Sequence, residues 1–254
     1  MTLIDIHAHM DFKDFDSDRE ELVKKLKENN IITVSNTINK ENYLYTKELY
    51  KGQNHIKVIP GLYPQEAEKI TDPEFEEYLN YLKKNEKEYV AIGEVGLDAY
   101  NTTDEKLLEL QEMRFRKLIE LGIKLDKPVI IHTRKREQRV LEILREYVEK
   151  YNFRKFDLHC FMGKKKLIKD IKELKIYCSI PLIVLNTQSF QLLVMELPIS
   201  QLLVETDSPY LNPSKQRNSP LNIPHIYEKI AQLKGYDKIE VENIIYRNFQ
   251  QLLL

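Results

Sequence analysis

Leu3-Ile4-Asp5-Ile6-His7-Ala8-His9 is a short, mostly apolar run that breaks off into two histidines. A run of four residues has the length of a buried strand, and the histidines fall where such a strand would end. The pattern recurs along the chain. Similar runs lie at 3–6, 31–34, 56–59, 90–92, 129–131, 156–158, 176–180 and 202–204. Between them, apolar residues stand three and four apart, as in Leu22, Val23 and Leu26, or Leu107, Leu110, Phe115 and Leu118. That spacing predicts helices, so the chain reads as repeated strand–helix units. Ser17 with Glu20 and Thr102 with Glu105 have the spacing of capping boxes, and Asp72 is placed to cap a helix before Pro73. Two further helices, around 225–233 and 238–252, close the chain.

Eight strands alternating with helices in 254 residues is the count of a (β/α)8 TIM barrel, an α/β fold in a single domain spanning 1–254. Composition agrees with a packed core, because hydrophobic residues make up 42% and charged residues 31%. Lys+Arg 39 against Asp+Glu 40 leaves a net charge of −1, which excludes a global basic field for holding nucleic acid. Phosphate recognition would have to be local. Cys160 and Cys178 make no disulfide framework, and the chain carries neither a signal-like start nor a long apolar span. The expectation is a cytoplasmic protein that does not enter a membrane.

In parallel barrels the chemistry forms at the C-terminal ends of the strands. The residues there are His7 and His9 after the first run, Glu94 after the fourth, His132 after the fifth, His159 after the sixth and Asp207 after the eighth. Four of the chain's six histidines occupy these few positions. Two histidines separated by one residue on an extended segment project to the same side and can share an ion. Six mixed imidazole and carboxylate ligands exceed one tetrahedral ion but suit two ions about 3.5–4 Å apart sharing a carboxylate. Glu94 is the residue placed to reach both. Donors of this type accept Mg, Mn or Zn, among other divalent ions, without choosing between them.

Several blocks carry a family resemblance: Asp5-Ile6-His7-Ala8-His9, Gly93-Glu94-Val95-Gly96-Leu97-Asp98, Ile131-His132-Thr133-Arg134, His159-Cys160-Phe161 and Glu205-Thr206-Asp207-Ser208-Pro209-Tyr210-Leu211. With them the chain resembles the TatD-related metal-dependent hydrolases and deoxyribonucleases of the amidohydrolase-like barrel superfamily, nearly end to end. The resemblance implies one ion on His7, His9, Glu94 and Asp207, and a second on Glu94, His132 and His159. It also implies DNA as substrate, a metal-activated water as nucleophile, and Asp207 and Glu94 as the catalytic carboxylates.

One block departs. Where the family often shows Gly-x-His-Pro-His, this chain has Gly61-Leu62-Tyr63-Pro64-Gln65. Tyr63 and Gln65 can donate hydrogen bonds to a phosphate but cannot become cationic. They are retained as candidate substrate contacts, together with Arg134 and Arg217, whose guanidinium forks match phosphate oxygens. Cys160 is expected to point away from the ligands by strand alternation. His55 and His225 are expected to be structural. The runs Arg134-Lys135-Arg136 and Lys164-Lys165-Lys166 could rim a site for a polyanion. The functional expectation is a divalent-metal-dependent hydrolase cleaving DNA phosphodiesters with two ions and no obligate protein partner. The alternative is a barrel hydrolase acting on an ester or amide, such as an aminoacyl-tRNA. A third reading, from another class, is a binding protein without chemistry.

Overall fold

The computed structural model describes residues 2–254. Its strands are β1 (Leu3–Ala8), β2 (Ile31–Asn36), β3 (Ile56–Ile59), β4 (Ile92–Asp98), β5 (Val129–Arg134), β6 (Phe156–Leu158), β7 (Tyr177–Ile180) and β8 (Leu202–Val204). The intervening helices are α1 (Arg19–Glu28), α2 (Lys40–Leu49), α3 (Pro64–Lys69), α4 (Asp72–Lys84), α5 (Glu105–Leu125), α6 (Glu137–Tyr151), α7 (Lys165–Leu174) and α8 (Gln188–Glu196). After β8 come α9 (Ile223–Lys234) and α10 (Lys238–Leu253).

Neighbouring strands pair in parallel in the order β1-β2-β3 and β4-β5-β6-β7-β8. The two ladders meet at both seams. Ala8 bridges Ser208, and around it the His9 amide donates to the Ser208 carbonyl at 2.7 Å and the Asp207 amide to the His7 carbonyl at 2.8 Å. Leu62 bridges Val95, flanked by the Leu62 amide on the Glu94 carbonyl at 3.0 Å and the Gly93 amide on the Pro60 carbonyl at 2.9 Å. These contacts close the (β/α)8 barrel. Ligand-type residues lie at both seams, so the contacts that close the barrel also gather the site.

Two populations of apolar side chains fill the fold. Ile4, Ile6, Val34, Ile59, Ala91, Ile130 and Leu203 cluster together with Phe249, Leu252 and Leu253 of α10. Alternate residues of the same strands, such as Val129, Ile131 and Val204, pack with the helices in a second and larger cluster. This is the two-sided burial that makes parallel-barrel strands read as continuous apolar runs.

The fourth strand corrects the sequence expectation. It starts at Ile92, not Val90, and runs on to Asp98, so Glu94 sits within a strand and not beyond its end. Pairing with β5 slips by one residue between Ile92 and Val95. Pairing of β1 with β2 slips in the same way between Asp5 and Ala8. Because side chains alternate with a period of two, a one-residue slip turns the following residues to the opposite face. Ile4 and Ile6 can therefore share the inner cluster while His7 and His9, further along, also point inward.

Helix starts differ as well. Asp18, not Ser17, precedes α1, and its side chain does not cap the helix because Arg217 occupies it. Asp104 caps α5 by accepting from the Lys106 amide, while Thr102 accepts from the Asp104 amide. Thr71 forms the capping box of α4 with Glu74, leaving Asp72 free to pair with Arg114 at 2.8 Å.

Candidate metal centre

Glu94 lies buried at the centre of the strand ends, and its two oxygens face different histidines. Oε2 is 3.6 Å from His7 Nε2 and 3.7 Å from His9 Nε2, whereas Oε1 is 2.6 Å from His132 Nδ1 and 3.6 Å from His159 Nε2. Asp207 completes the first group, with Oδ1 3.5 Å from His9 Nε2 and 3.8 Å from His7 Nε2. The structure thus brings together all six sequence-predicted ligand residues.

Five of the six donors fit metal as they stand, while His132 Nδ1 lies within hydrogen-bond distance of Glu94 Oε1. Both ring nitrogens of His7 are buried without a hydrogen-bond partner, an arrangement that costs free energy unless something else engages them. Separations of 3.5–3.8 Å are too long for hydrogen bonds. They suit two ligands of one ion, because bonds of about 2.0–2.2 Å at tetrahedral angles separate ligand atoms by roughly 3.3–3.6 Å. The groups His7–His9–Asp207 and His7–Glu94–His159 each hold donor atoms close enough to share an ion. The rings of His7 and His159 also stack in parallel, with centroids 3.7 Å apart, which disfavours charging both.

Three far ring nitrogens are held by other residues. His9 Nδ1 lies 3.1 Å from the Asn36 carbonyl, His132 Nε2 3.1 Å from Asp98 Oδ2, and His159 Nδ1 3.0 Å from Glu205 Oε2. Such partners fix the tautomer and leave the other nitrogen free to bind an ion. Glu205 is itself held, its Oε1 accepting from the Cys160 amide at 2.9 Å. Sequence reasoning gave Asn36, Asp98 and Glu205 no role, although the last two stand inside the motif blocks.

The electrostatics follow from this packing. Burial opposes ionising Glu94, yet His132 and His7 outweigh it and hold the carboxyl well below its usual range. Asp207 is likewise held down by His9, His159 and His7 against burial. Asp98 falls to about 2, its burial overcome by His132 and the Tyr100 amide. Burial and the neighbouring His159 push His7 down. Burial also opposes protonation of His159, but Glu205 pushes it up to about 10.

A cavity of about 660 Å³ opens over these groups, lined among others by Tyr63, Gln65, Arg134 and Cys160. Tyr63 turns its hydroxyl to Asp98 Oδ2 at 3.1 Å. Both polar atoms of the Gln65 amide are buried without a partner. Arg134 stacks on Tyr100, its guanidinium 3.6 Å from the ring centroid, and makes no ion pair among the described residues. Cys160 lines the wall where strand alternation predicts it turned away, because its backbone takes a left-handed φ of 44° and breaks the alternation. Burial pushes its thiol well up, which suits no nucleophile.

Arg217 is not brought to the cavity. It pairs with Asp18 through both terminal nitrogens, donates to the Asp14 carbonyl and lies over the Phe15 ring. His55 bonds the Val23 carbonyl at 3.1 Å, and His225 is exposed beside Glu228, both apart from the centre. Among the described residues no helix is long and apolar enough to cross a membrane.

Comparison with known proteins bears on this site. Residues 4–254 match the family described as TatD related DNase. The chain is 32% identical over 246 residues to an uncharacterized metal-dependent hydrolase of Methanocaldococcus jannaschii, covering 96% of this chain and 94% of that protein. It is 30% identical over 262 residues to a deoxyribonuclease of Homo sapiens, covering 98% and 94%. Among solved structures, a TatD homolog from Escherichia coli K12 superposes with a TM-score of 0.86 at 23% identity, covering 99% of this chain and 97% of that one. At that identity the structural likeness speaks for the fold.

Proposed function

Because this chain belongs to the TatD-related DNase family and is a metal-dependent hydrolase, we propose that it cleaves phosphodiester bonds of DNA with two divalent ions. The observation that carries the reading is the division of Glu94, one oxygen toward His7 and His9 and the other toward His132 and His159. In this reading His7, His9, Glu94 and Asp207 hold one ion and Glu94, His132 and His159 the other. When bound, the ions would lower the pKa of water toward about 7 and offset charge on the phosphate.

The remaining work belongs to the chain. Asp207, a carboxylate at the centre, can accept the proton of the attacking water. Arg134 supplies an unpaired cation at the cavity wall, where a guanidinium can hold a phosphate oxygen while its stacking on Tyr100 fixes its direction. Gln65 adds a polar side chain to the lining of the same cavity. Apolar side chains such as Ile38 and Ile183 line the remaining walls and thin the water around the reacting bond.

The test strips the protein with chelator, restores Mg, Mn or Zn, and follows cleavage of end-labelled single-stranded DNA beside Asp207→Asn. Cleavage that needs metal and is lost in the variant is the expected result. Intact DNA, with two equivalents of metal bound, would overturn the substrate and move the search to esters and amides.

A further inference from the structure

The cavity carries an aromatic corner that neither the ion ligands nor the phosphate contacts use. Phe12 stacks on His9, with centroids 5.0 Å apart and planes inclined by 23°. Tyr210 meets Phe12 edge to face at 5.9 Å and 85°, and lies 6.3 Å from His9. Phe12 and Tyr210 therefore form two perpendicular walls beside a candidate ligand. Tyr210 is 53% exposed although it lines the cavity, so about half of the side chain is open to an incoming molecule. Met162, also 53% exposed, lines the same cavity.

The corner is rigidly referenced to the reacting centre. The Tyr210 amide donates to the Asp207 carbonyl at 2.8 Å, so a single turn, Asp207-Ser208-Pro209-Tyr210, carries both the carboxylate and the ring. An exposed aromatic ring is unremarkable alone, but this one stands on the turn that bears the candidate base and offers a surface to an occupant of matching shape. The occupant must be planar and apolar on its faces, and attached to an anion drawn to the ions and Arg134. A nucleotide has this form: its phosphate sits at the centre and its base lies one sugar away.

We propose that Phe12 and Tyr210 form a base-stacking subsite that holds the nucleobase next to the scissile phosphate. The inference rests on the phosphodiester reading above and deepens it. Stacking on a ring is tolerant of base identity, so the subsite selects nucleotides over other phosphodiesters without reading sequence.

The test compares the metal-restored full chain on thymidine p-nitrophenyl phosphates, joined through the 5′ or the 3′ oxygen, with methyl p-nitrophenyl phosphate. All release the same phenol and differ in carrying a nucleoside or a methyl group, and the share of the ratio that depends on Tyr210 is assigned to the base. At least one nucleoside diester should be turned over with a kcat/KM about five- to a hundred-fold above the methyl diester, the worth of one base on one aromatic ring. Tyr210→Ala should remove most of that ratio and Tyr210→Phe should keep it. Dissociation constants of thymidine monophosphate and methyl phosphate, measured by calorimetry, should show the same ratio and the same response. Equal turnover of nucleoside and methyl diesters by the wild type, or a ratio untouched by Tyr210→Ala, overturns the subsite while leaving the phosphodiester reading in place. Failure to hydrolyse any diester overturns both.

Discussion

Tyr63 donates its hydroxyl to Oδ2 of Asp98, the same oxygen that faces Nε2 of His132, at 3.1 Å in each case. The residue standing where the family often has histidine thus lines the cavity while its hydroxyl is engaged by the carboxylate that orients a candidate ligand. Asp98→Asn should weaken metal binding by about 10- to 100-fold, the usual effect of losing a ligand's outer partner. Tyr63→Phe should act in the same direction and less, because it removes one donor and leaves the carboxylate. Calorimetric titration of the chelated protein measures both. Slower turnover in Tyr63→Phe with unchanged metal affinity would instead make Tyr63 a substrate contact.

Glu205 gives a pH dependence through His159. The folded pKa of about 10 lies above the ordinary 6.5, so in metal-free protein the charged ring contributes stability that is complete below about pH 6.5. That contribution fades as pH rises through about 10. A divalent ion taking Nε2 must displace the proton, so metal affinity should rise with pH across the same window. Glu205→Gln should flatten both trends, because it removes the charge that holds the proton on His159. Melts and metal titrations from pH 6 to 10 would expose the reverse slope, which this account forbids.

Gly61 shows how tightly the barrel seam is built. A Cβ there would collide with the Thr37 carbonyl and the Glu94 amide, both backbone atoms that cannot step aside cheaply. Gly61→Ala should cost about 3 kcal/mol, the upper end for overpacking. It should also disturb Glu94, whose carbonyl accepts from the next residue, Leu62. A fall in melting temperature on the order of 10 °C, together with weaker metal binding, is expected. A variant that melts normally would mean that the seam opens readily.

The sequence made the candidate ligands legible because each follows an apolar run, and a barrel turns that position into a place in space. His7, His9, His132, His159 and Asp207 needed only the strand count to be gathered. Glu94 was legible as a candidate ligand but not as a residue inside a strand, since glycines at 93 and 96 interrupt the apolar run without ending the ladder. Asn36, Asp98 and Glu205 were hidden for another reason. Each acquires meaning only from a histidine on a different strand, and which nitrogen it meets depends on register. Arg217 misled because its partner Asp18 lies 199 residues away in the chain, a pairing no local pattern announces.

The two arginines separate most clearly in experiment. Arg134 faces the cavity with no carboxylate to neutralise it, whereas Arg217 spends its fork on Asp18 in a pair that is about one-third exposed on each side. A partly exposed ion pair contributes about 0–1 kcal/mol, so Arg217→Ala should shift stability slightly and leave turnover near the wild-type value. Arg134→Gln should leave stability near the wild type and lower kcat/KM on DNA by about 10- to 100-fold, the loss of one charge-assisted bond of roughly 1.5–3 kcal/mol. Removing one phosphate contact should also reduce the salt slope of DNA affinity by about one unit, uniformly across sequences. Salt-dependent binding to a metal-loaded, cleavage-deficient protein measures that slope. An unchanged slope in Arg134→Gln, or a reduced one in Arg217→Ala, would reverse the assignment of the two residues.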